Sequence, residues 1–291
     1  MRCFFVFNPV SGKGKIAKKL DYIVRKLKEK YDVVDVYATK GAGDMERAAR
    51  EAAGRYDAIV FSGGDGSFNE IMQGIGDAEH PPELGYIPSG TVNDIAHTLG
   101  IPKGIRGAVK TVLTGDNVLL DCMKVNDRYA MYVVAAGAFT SASYTTPQTK
   151  KKQIGRIAYG IEGLKKNMRF DVFDVSVKSG GNWVKTDSVF ISLMNGRYVA
   201  GMKINRDSSI TDGHPSRNMV RAFLALAHLF LFGYKVKEKQ ILRFTGSEFE
   251  IETEESVVWN FDGEKGLSGN VKVCVLPKKI NMIVPKGSKN I

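Results

Sequence analysis

Apolar residues in the first part of the chain alternate between two spacings. A continuous apolar run, Phe4–Phe7, is typical of a buried strand, and it is followed by apolar residues three or four positions apart at Ile16, Leu20, Ile23 and Leu27. The same alternation continues, and it predicts strands at 33–38, 58–61 and 84–87 and helices at 44–55, 68–75 and 92–99. Repeated strand–helix units of this kind indicate a parallel sheet covered by helices on both faces.

The pattern changes after Gly115 to short runs with a period of two, which predicts strands at 129–135, 172–177, 189–194, 249–251 and 271–275. We therefore predict an α/β fold class with two domains. An N-terminal parallel-sheet domain covers residues 1–125, and a C-terminal antiparallel β-sandwich domain covers 126–283. The last residues, 284–291, are candidates to return to the first domain.

The chain carries 42 basic and 31 acidic side chains, a formal net charge of +11 that favours a polyanionic partner. We predict no nucleic-acid role, because the basic residues are scattered rather than interleaved with aromatic ones in a recognisable module. Cys3, Cys122 and Cys274 form no C-x-x-C pair, so we expect buried thiols rather than a disulfide framework or a zinc site. The strand-like N-terminus lacks a signal-peptide pattern, and we expect a cytoplasmic protein.

A glycine loop with an aspartate at its centre, Ser62–Ser67, follows the third predicted strand. Loops at this end of a parallel sheet bind ligands, and glycines let the backbone approach a phosphate closely. A carboxylate there would repel a phosphate unless it acts through a metal ion or its water, or accepts a hydrogen bond from a nucleotide. Asp65 therefore favours Mg²⁺-nucleotide chemistry. The structural alternative is a tight turn in which Ser67 and Glu70 form a capping box.

A second loop, Pro88–Asp94, follows the next predicted strand and so lies on the same edge of the sheet. Thr91 and Asp94 also have the spacing of a capping box, yet capping does not explain why Asp94 should join Asp65. Two carboxylates on one edge suit a hydrated Mg²⁺. The chain has neither the G-x-G-x-x-G nor the G-x-x-x-x-G-K-[ST] fingerprint, which argues against dehydrogenases and P-loop enzymes.

Together the residues from Gly63 to Glu70 and from Pro88 to Asp94 resemble the diacylglycerol kinase catalytic family, the soluble bacterial lipid kinases related to sphingosine kinases and NAD kinases. The likeness runs from Asn8 to Glu264. It implies an ATP-dependent kinase that phosphorylates a lipid hydroxyl, with an ATP-binding α/β domain and a lipid-substrate β-sandwich domain.

The resemblance also implies a set of site residues. Nucleotide contacts would come from Asn8, Pro9, Val10, Ser11, Gly12, Thr39, Gly64, Asp65, Gly66, Ser67, Phe68, Asn69, Glu70 and Thr91. The catalytic and Mg²⁺–water network would consist of Asp65, Asp94 and Asp121, with Asp262 or Glu264 as the general base. A structural metal would be held by Ser209, Asp212 and His214, although Pro215–Asn218 departs from the family pattern nearby.

The predicted function is therefore Mg²⁺- and ATP-dependent phosphorylation of a lipid, with diacylglycerol to phosphatidic acid as the first choice. Phosphatidylglycerol, ceramide and sphingoid bases remain alternative substrates, followed by an NAD kinase and a non-catalytic lipid-binding module. We expect the protein to meet a lipid substrate at an anionic membrane surface, peripherally on the inner face. The basic residues Lys150–Lys152 and the apolar run 219–234 are candidates for that contact, and a homodimer is left open.

Overall fold

The computed structural model describes residues 1–137, 172–195, 198–199, 202–203, 242, 244 and 246–288. The chain forms two compact units. The first contains Met1–Cys122 and Leu276–Ile291, and the second contains Met123–Val275. The domain limits predicted from the sequence stay a prediction, because a compact unit need not fold independently.

A parallel sheet forms the centre of the first unit. Its strands are β1 (Arg2–Phe7), β2 (Val33–Ala38), β3 (Ala58–Gly63), β4 (Glu83–Pro88) and the C-terminal part of β16 (Val271–Val284). The strand order is β2-β1-β3-β4-β16, and each of these neighbouring pairs is parallel. Every residue of β3 and β4 is buried, as expected for strands covered on both faces. The predicted α/β class is confirmed.

Five α-helices belong to the first unit. They are α1 (Leu20–Leu27), α2 (Asp44–Ala52), α3 (Asp65–Ile75), α4 (Asp94–Thr98) and α5 (Ile105–Thr114). Short 3-10 turns at Ser11–Gly14 and Ala17–Lys19 precede α1. Helix α2 ends three residues earlier than predicted, shortly before Gly54 adopts a φ of +78°. Helix α5 was not predicted.

Aromatic stacking holds α3 on the sheet. The rings of Phe61 and Tyr86 stack at 4.8 Å between centroids, and Phe68 meets both rings edge-on at 5.4 and 5.5 Å. On another side, α3 lies so close to α2 that a Cβ at Gly74 would be 2.5 Å from the Glu46 carbonyl oxygen. Helix α3 is therefore fixed by contacts to the sheet and to α2.

A buried carboxylate, Glu83, begins β4 with only 8% of its surface exposed. It accepts hydrogen bonds from the Tyr31 hydroxyl at 2.7 Å and from Asn117 at 3.0 Å, and it pairs with the Lys30 ammonium at 2.9 Å. Burial disfavours its charged form, but the bonds from Lys30, Tyr31 and Asn117 outweigh burial and hold the pKa of Glu83 below its usual value. This cluster ties the turn after α1 to the start of β4.

Two larger antiparallel sheets and a two-stranded one form the described part of the second unit. Strands β5 (Asp116–Val125) and β16 contribute residues to both units. The other strands are β6 (Arg128–Ala130), β7 (Val133–Gly137), β8 (Phe173–Ser179), β9 (Asn182–Ser188), β10 (Phe190–Met194), β11 (Tyr198–Val199), β12 (Met202–Lys203), β13 (Glu248–Thr253), β14 (Val258–Phe261) and β15 (Glu264–Ser268). One sheet has the order β16-β13-β8-β9 and the other β10-β7-β14-β15, which agrees with the predicted sandwich.

The cysteines and the membrane candidates can be placed only in part. Cys3 and Cys122 are buried and Cys274 is half-buried; burial raises the pKa of the Cys3 thiol to about 12, which suppresses its reactive thiolate. No helix within the described ranges is long and apolar enough to cross a membrane. The candidate membrane segments Lys150–Lys152 and 219–234 lie outside those ranges.

The Glu83 cluster predicts a pH dependence of stability. Because the folded-state pKa lies below the unfolded value of about 4.3, Glu83 stabilises the fold above that pH, and the stabilisation is lost as the pH falls through the folded value. We expect Glu83→Gln to lower the free energy of unfolding by about 2 kcal/mol at pH 7 and by much less at pH 3. Urea unfolding of both proteins at the two pH values measures the difference, with the exposed Glu79→Gln as control. A deficit equal at both pH values would contradict this role.

Candidate functional site

Three loops meet at the carboxyl end of the parallel sheet. They follow β1, β3 and β4, and we call them the rim loops: Asn8–Lys15, Gly64–Ser67 and Ser89–Asn93. Main-chain bonds tie the first and third of these loops to the end of β3, since the Asn8 N–H donates to the Ser62 carbonyl at 3.1 Å and the Ser89 N–H donates to the Gly63 carbonyl at 2.8 Å. The glycine loop and the loop after β4 therefore lie together within the first unit, as predicted.

Two glycines let the rim loops touch backbone to backbone. A Cβ at Gly64 would lie 3.1 Å from the Cα of Gly90, and a Cβ at Gly90 would clash with the Cα of Gly64. No side chain fits between these two segments. The close approach of the loops is a sufficient reason for glycine at both positions, in addition to any approach of a phosphate.

The Asp65 carboxylate caps the neighbouring helix α4. One of its oxygens accepts the Asn93 N–H at 2.9 Å and the other accepts the Asp94 N–H at 2.7 Å. Both N–H groups belong to the start of α4, where backbone donors lack partners within the helix. The sequence analysis considered only a metal ion or a nucleotide as partners of Asp65, so it missed this contact.

Neither of the two capping boxes considered as structural alternatives forms. Helix α3 begins at Asp65 after Gly64, so Ser67 lies inside the helix, and Gly64 makes no side-chain cap. Glu70 instead accepts the Met45 N–H of α2 at 3.1 Å. Helix α4 begins after Asn93 rather than after Thr91, and its capping carboxylate comes from Asp65.

Asn93 and Tyr86 form hydrogen bonds with the backbone of the rim. Asn93 adopts a left-handed conformation with a φ of +57°, and its side-chain amide both accepts from the Gly90 N–H and donates to the Gly90 carbonyl. The Tyr86 hydroxyl lies 3.2 Å from both the Gly63 carbonyl and the Asn93 Oδ1. Burial raises the pKa of Tyr86 well above its usual value, and the charges of Asp65 and Asp94 raise it further, so the hydroxyl stays protonated as a donor.

The first rim loop turns sharply after β1. Asn8 accepts the Val10 N–H on its side chain at 3.0 Å and the Ser11 N–H on its carbonyl at 3.2 Å. Gly12 and Lys13 then both adopt positive φ values, +58° and +63°. Most residues of this loop, including Pro9, are at least partly exposed. Their backbone is therefore accessible to a ligand.

Other residues predicted to contact a nucleotide occupy different environments. Thr39 follows β2, is 8% exposed and donates to the Phe7 carbonyl. Phe68 is buried in the aromatic cluster, whereas Gly66 and Thr91 lie at least partly exposed on the rim. Asn69 is 6% exposed, and its Nδ2 has no hydrogen-bond partner among the described residues. A buried amide donor of this kind is normally satisfied, so it indicates a site for water or ligand.

The remaining predicted acids of the first unit differ in position. Asp94 is the first residue of α4 and is 3% exposed. Asp121 is fully buried on β5 and accepts the Lys278 N–H at 2.7 Å, where β16 bends after Pro277 and Lys278 adopts a φ of +54°. Asp121 therefore holds a strand bend, whereas Asp65 and Asp94 lie on the rim.

His97 lies in the last turn of α4. Burial and the positive charge of Lys103 lower the pKa of His97, and the nearby Asp65 opposes this only in part. The imidazole is therefore neutral at pH 7 and adds no positive charge to the rim.

In the second unit, Asp262 occupies the turn between β14 and β15. Its carboxylate accepts three backbone N–H groups, from Met131 at 2.6 Å and from Tyr132 and Val133 at 2.9 Å each. Asp262 is 3% exposed and has a φ of +51°, whereas Glu264 is exposed at the start of β15. The three donors explain why the strand predicted at 129–135 is divided into β6 and β7.

The predicted metal residues can be tested only on the rim. No group of three or more His, Cys, Asp or Glu side chains that could enclose a metal ion occurs in the described ranges, and Ser209, Asp212 and His214 lie outside them. Mg²⁺ in kinases is commonly held by one or two carboxylates together with phosphates and water. The oxygen donors Asp65 and Asp94 fit that requirement without a cage.

Two family profiles match most of the chain. The profile described as "Diacylglycerol kinase catalytic domain" matches residues 2–125, and the profile described as "YegS C-terminal NAD kinase beta sandwich-like domain" matches residues 132–284. The first range contains the rim loops, and the second contains Asp262 and Glu264.

Similar proteins carry a consistent name. A "Diacylglycerol kinase" of Bacillus subtilis (strain 168) is 29% identical over 98% of this chain and 97% of its own length, and one of Staphylococcus aureus (strain bovine RF122 / ET3-1) is 30% identical over 99% and 94%. A crystal structure of a diacylglycerol kinase from Bacillus anthracis str. Sterne superposes with a TM-score of 0.79, covering 98% of this chain and 97% of the other at 24% identity. That last likeness supports the fold alone.

These matches first define the class of the enzyme, which is a lipid kinase. More narrowly, the chain belongs to the diacylglycerol kinase family.

Sequence analysis missed several residues that shape the rim. Asn93 and Tyr86 were not singled out, and neither were Ser62 and Ser89. The signal for Asn93 was its position just before a helix, because asparagine tolerates a left-handed conformation. The role of Tyr86 depends on contacts that no local pattern reveals.

The cap from Asp65 to α4 leads to a test. We expect Asp65→Asn to lower the free energy of unfolding by about 1 kcal/mol, because an amide offers one acceptor oxygen where the carboxylate offers two. Hydrogen exchange measured by NMR should show faster exchange of the Asn93 and Asp94 amides in the variant. Asp21→Asn, on the exposed side of α1, serves as the matched control. Unchanged exchange at both amides would contradict the cap.

Proposed function

We propose that this lipid kinase transfers the terminal phosphoryl group of ATP to the hydroxyl of diacylglycerol and forms phosphatidic acid. The observation that carries the proposal is the joining of the rim loops by the Gly64–Gly90 contact and the Asp65 cap. The full-length relatives named diacylglycerol kinase support the choice of substrate.

The rim supplies what a nucleotide triphosphate requires. Ser11 offers its hydroxyl from the first rim loop. Gly66 and Ser67 lie in the first turn of α3, where backbone N–H groups lack partners within the helix, and α3 directs its positive end towards the same edge. The unpartnered Nδ2 of Asn69 is a further donor close by along α3. We propose that these groups bind the phosphates, together with the other nucleotide residues named from the family.

Mg²⁺ would be held by the rim carboxylates of Asp65 and Asp94 together with phosphate oxygens and water. When bound, it would neutralise the charge that accumulates on the transferring phosphoryl group. The Asp65 oxygens accept the N–H groups of Asn93 and Asp94, and carboxylate oxygens are ligands that Mg²⁺ prefers. Asp65 would thus both cap α4 and face the ligand.

Glu264 is the better candidate for the general base. The hydroxyl of the lipid must lose a proton as it attacks the phosphorus atom, and a carboxylate can accept that proton. Asp262 already receives three backbone N–H groups, so its oxygens are committed to holding the β14–β15 turn. We propose that Asp262 positions the turn and that the exposed Glu264 takes the proton.

The lipid substrate would be met at an anionic membrane surface, which the net charge of +11 favours. Peripheral location on the inner face and a homodimer stay predictions. An NAD kinase is the second candidate, because the profile matched by the second unit is described as NAD kinase beta sandwich-like.

The test is phosphate transfer from γ-labelled ATP with Mg²⁺ to separate vesicles of diacylglycerol, phosphatidylglycerol, ceramide or sphingosine, and to NAD in solution. We expect labelled phosphatidic acid from diacylglycerol. Glu264→Gln should lower kcat by roughly 10²- to 10⁴-fold, because it removes the proton acceptor. Asp262→Asn should lower the Tm, because the amide replaces an acceptor of N–H groups with a donor.

The exposed Glu252→Gln on β13 is the matched control, and it should keep wild-type activity. Label on a different lipid would identify that lipid as the substrate in place of diacylglycerol. Label on NAD alone would favour an NAD kinase. Transfer to none of the acceptors would contradict the proposal. Loss of activity in Asp262→Asn at full stability, with an active Glu264→Gln, would exchange the two roles.

A further inference from the structure

The hairpin formed by β8 and β9 ends in a narrow tip. Its two turn residues, Gly180 and Gly181, have φ values of +60° and +89°, which suit a type I′ turn. A Cβ at either glycine would meet no atom of the described residues within 4 Å. Strand β9 pairs with β8 and with no other described strand, so it forms an edge of its sheet. The hairpin therefore presents an open tip and an open edge.

Two large apolar side chains of β9 are exposed beside this tip. Trp183 is 45% exposed and Val184 is 37% exposed. The register places Trp183 opposite Lys178 and Val184 opposite Val177. Neighbouring residues of a strand point to opposite faces of the sheet, so the two apolar side chains lie on either side of the edge. Tryptophan is largely buried in most folded proteins, and an exposed ring at a hairpin tip indicates a contact site.

The free edge of the hairpin carries a positive charge. Residues 175–186 contain Lys178 and Lys185 and no acidic residue. The nearest described acids of the sheet belong to β13, where Glu250 pairs with the Lys178 ammonium at 2.7 Å and Glu248 is exposed. Strand β9 is two strand spacings from β13, about 10 Å, which is on the order of the Debye length at physiological ionic strength. The exposed Lys185 therefore sets the charge that a partner of this edge meets.

The same residues favour a lipid surface over another strand as the partner. Lysine on a sheet edge discourages pairing with a second strand, and Lys185 lies within the free edge of β9. A tryptophan ring prefers the interface between membrane and water, and lysine is attracted to anionic headgroups. The chain belongs to a lipid kinase family and has a net charge of +11, so a membrane that holds its substrate is a partner of suitable chemistry.

We propose that the tip of the β8–β9 hairpin binds an anionic bilayer, with Trp183 and Val184 in the interfacial region and Lys185 against the headgroups. The inference rests on the proposed meeting of the enzyme with an anionic membrane, and it assigns residues to that contact. The hairpin enters edge-first, which brings both faces of β9 into the interface. The backbone groups of the free edge stay in the hydrated headgroup region, where water can satisfy them.

Tryptophan fluorescence tests this contact. The chain has two tryptophans, and the other one, Trp259, is fully buried and donates to the Gly269 carbonyl at 2.8 Å, so a change on binding reports Trp183. Vesicles of phosphatidylcholine and phosphatidylglycerol, added without ATP, should shift the emission to shorter wavelengths, and brominated acyl chains should quench it. Trp183→Phe should abolish both changes. An emission that saturating vesicles leave unchanged would overturn the inference.

Variants measure the contribution of each group. Trp183→Ala should weaken co-sedimentation with the same vesicles about tenfold, because a large apolar side chain is no longer covered. Lys185→Gln should weaken it about fivefold. The matched controls, Val33→Ala on β2 and Lys110→Gln on α5, also change exposed residues and should stay within about twofold of wild type. In the kinase assay, Trp183→Ala should raise the vesicle concentration that gives the half-maximal rate and leave kcat unchanged.

The outcomes separate this inference from the proposed function. Wild-type vesicle binding in Trp183→Ala would overturn the inference. An emission shift that grows with protein concentration and needs no vesicles would place a second copy of the chain on the hairpin, and it would also overturn the inference. Phosphorylation of diacylglycerol by a protein whose emission ignores vesicles would overturn the inference alone. A vesicle-dependent shift without phosphorylation of any lipid would support the hairpin contact and contradict the proposed function.

Discussion

The pair of hydrogen bonds from Asn93 and Asp94 to the Asp65 carboxylate is the constraint on which the rim depends. Helix α4 has five residues and is too short to be stable in isolation, so its start must be set by contacts from elsewhere. Asp65, the first residue of α3, supplies those contacts. Helix α3 is itself fixed by the aromatic cluster and by α2. The position of the third rim loop, Ser89–Asn93, therefore follows from the position of α3.

This constraint also explains the composition of the loops. With Asp65 bonded to α4, the backbones at Gly64 and Gly90 come too close for any side chain. Asn93 must then turn the chain in a left-handed conformation, and its amide closes the loop onto Gly90. Gly64, Gly90 and Asn93 belong to the sequence that resembles a phosphate-binding signature. The packing of the two loops already requires these residues, whether or not a phosphate binds. Nucleotide binding, as proposed, would use a frame that exists before the ligand arrives.

Local patterns were sufficient to predict β1 to β4, because strands buried on both faces are continuous apolar runs and the helices between them have a clear apolar stripe. They did not predict that the C-terminal part of β16 joins this sheet, since the strand predicted there ended at residue 275. That the loops after β3 and β4 lie on the same edge followed from the parallel order of the strands. Helix α5 was missed because Gly107 and several β-branched residues lower its helix propensity. The partners of Asp65 and Asp262 could not be predicted, since they lie about 28 and 130 residues away in sequence and depend on tertiary contacts.

We propose that the Asp65 cap frames the nucleotide site. The most direct test is a crystal structure of the protein with Mn²⁺ and a non-hydrolysable ATP analogue, in which anomalous scattering locates the metal. We expect the phosphates to lie against Ser11, Gly66 and Ser67, the metal to lie beside Asp65 or Asp94, and the Asp65 carboxylate to remain bonded to the start of α4. A nucleotide bound away from the rim loops, or an Asp65 turned away from α4 in the complex, would contradict it.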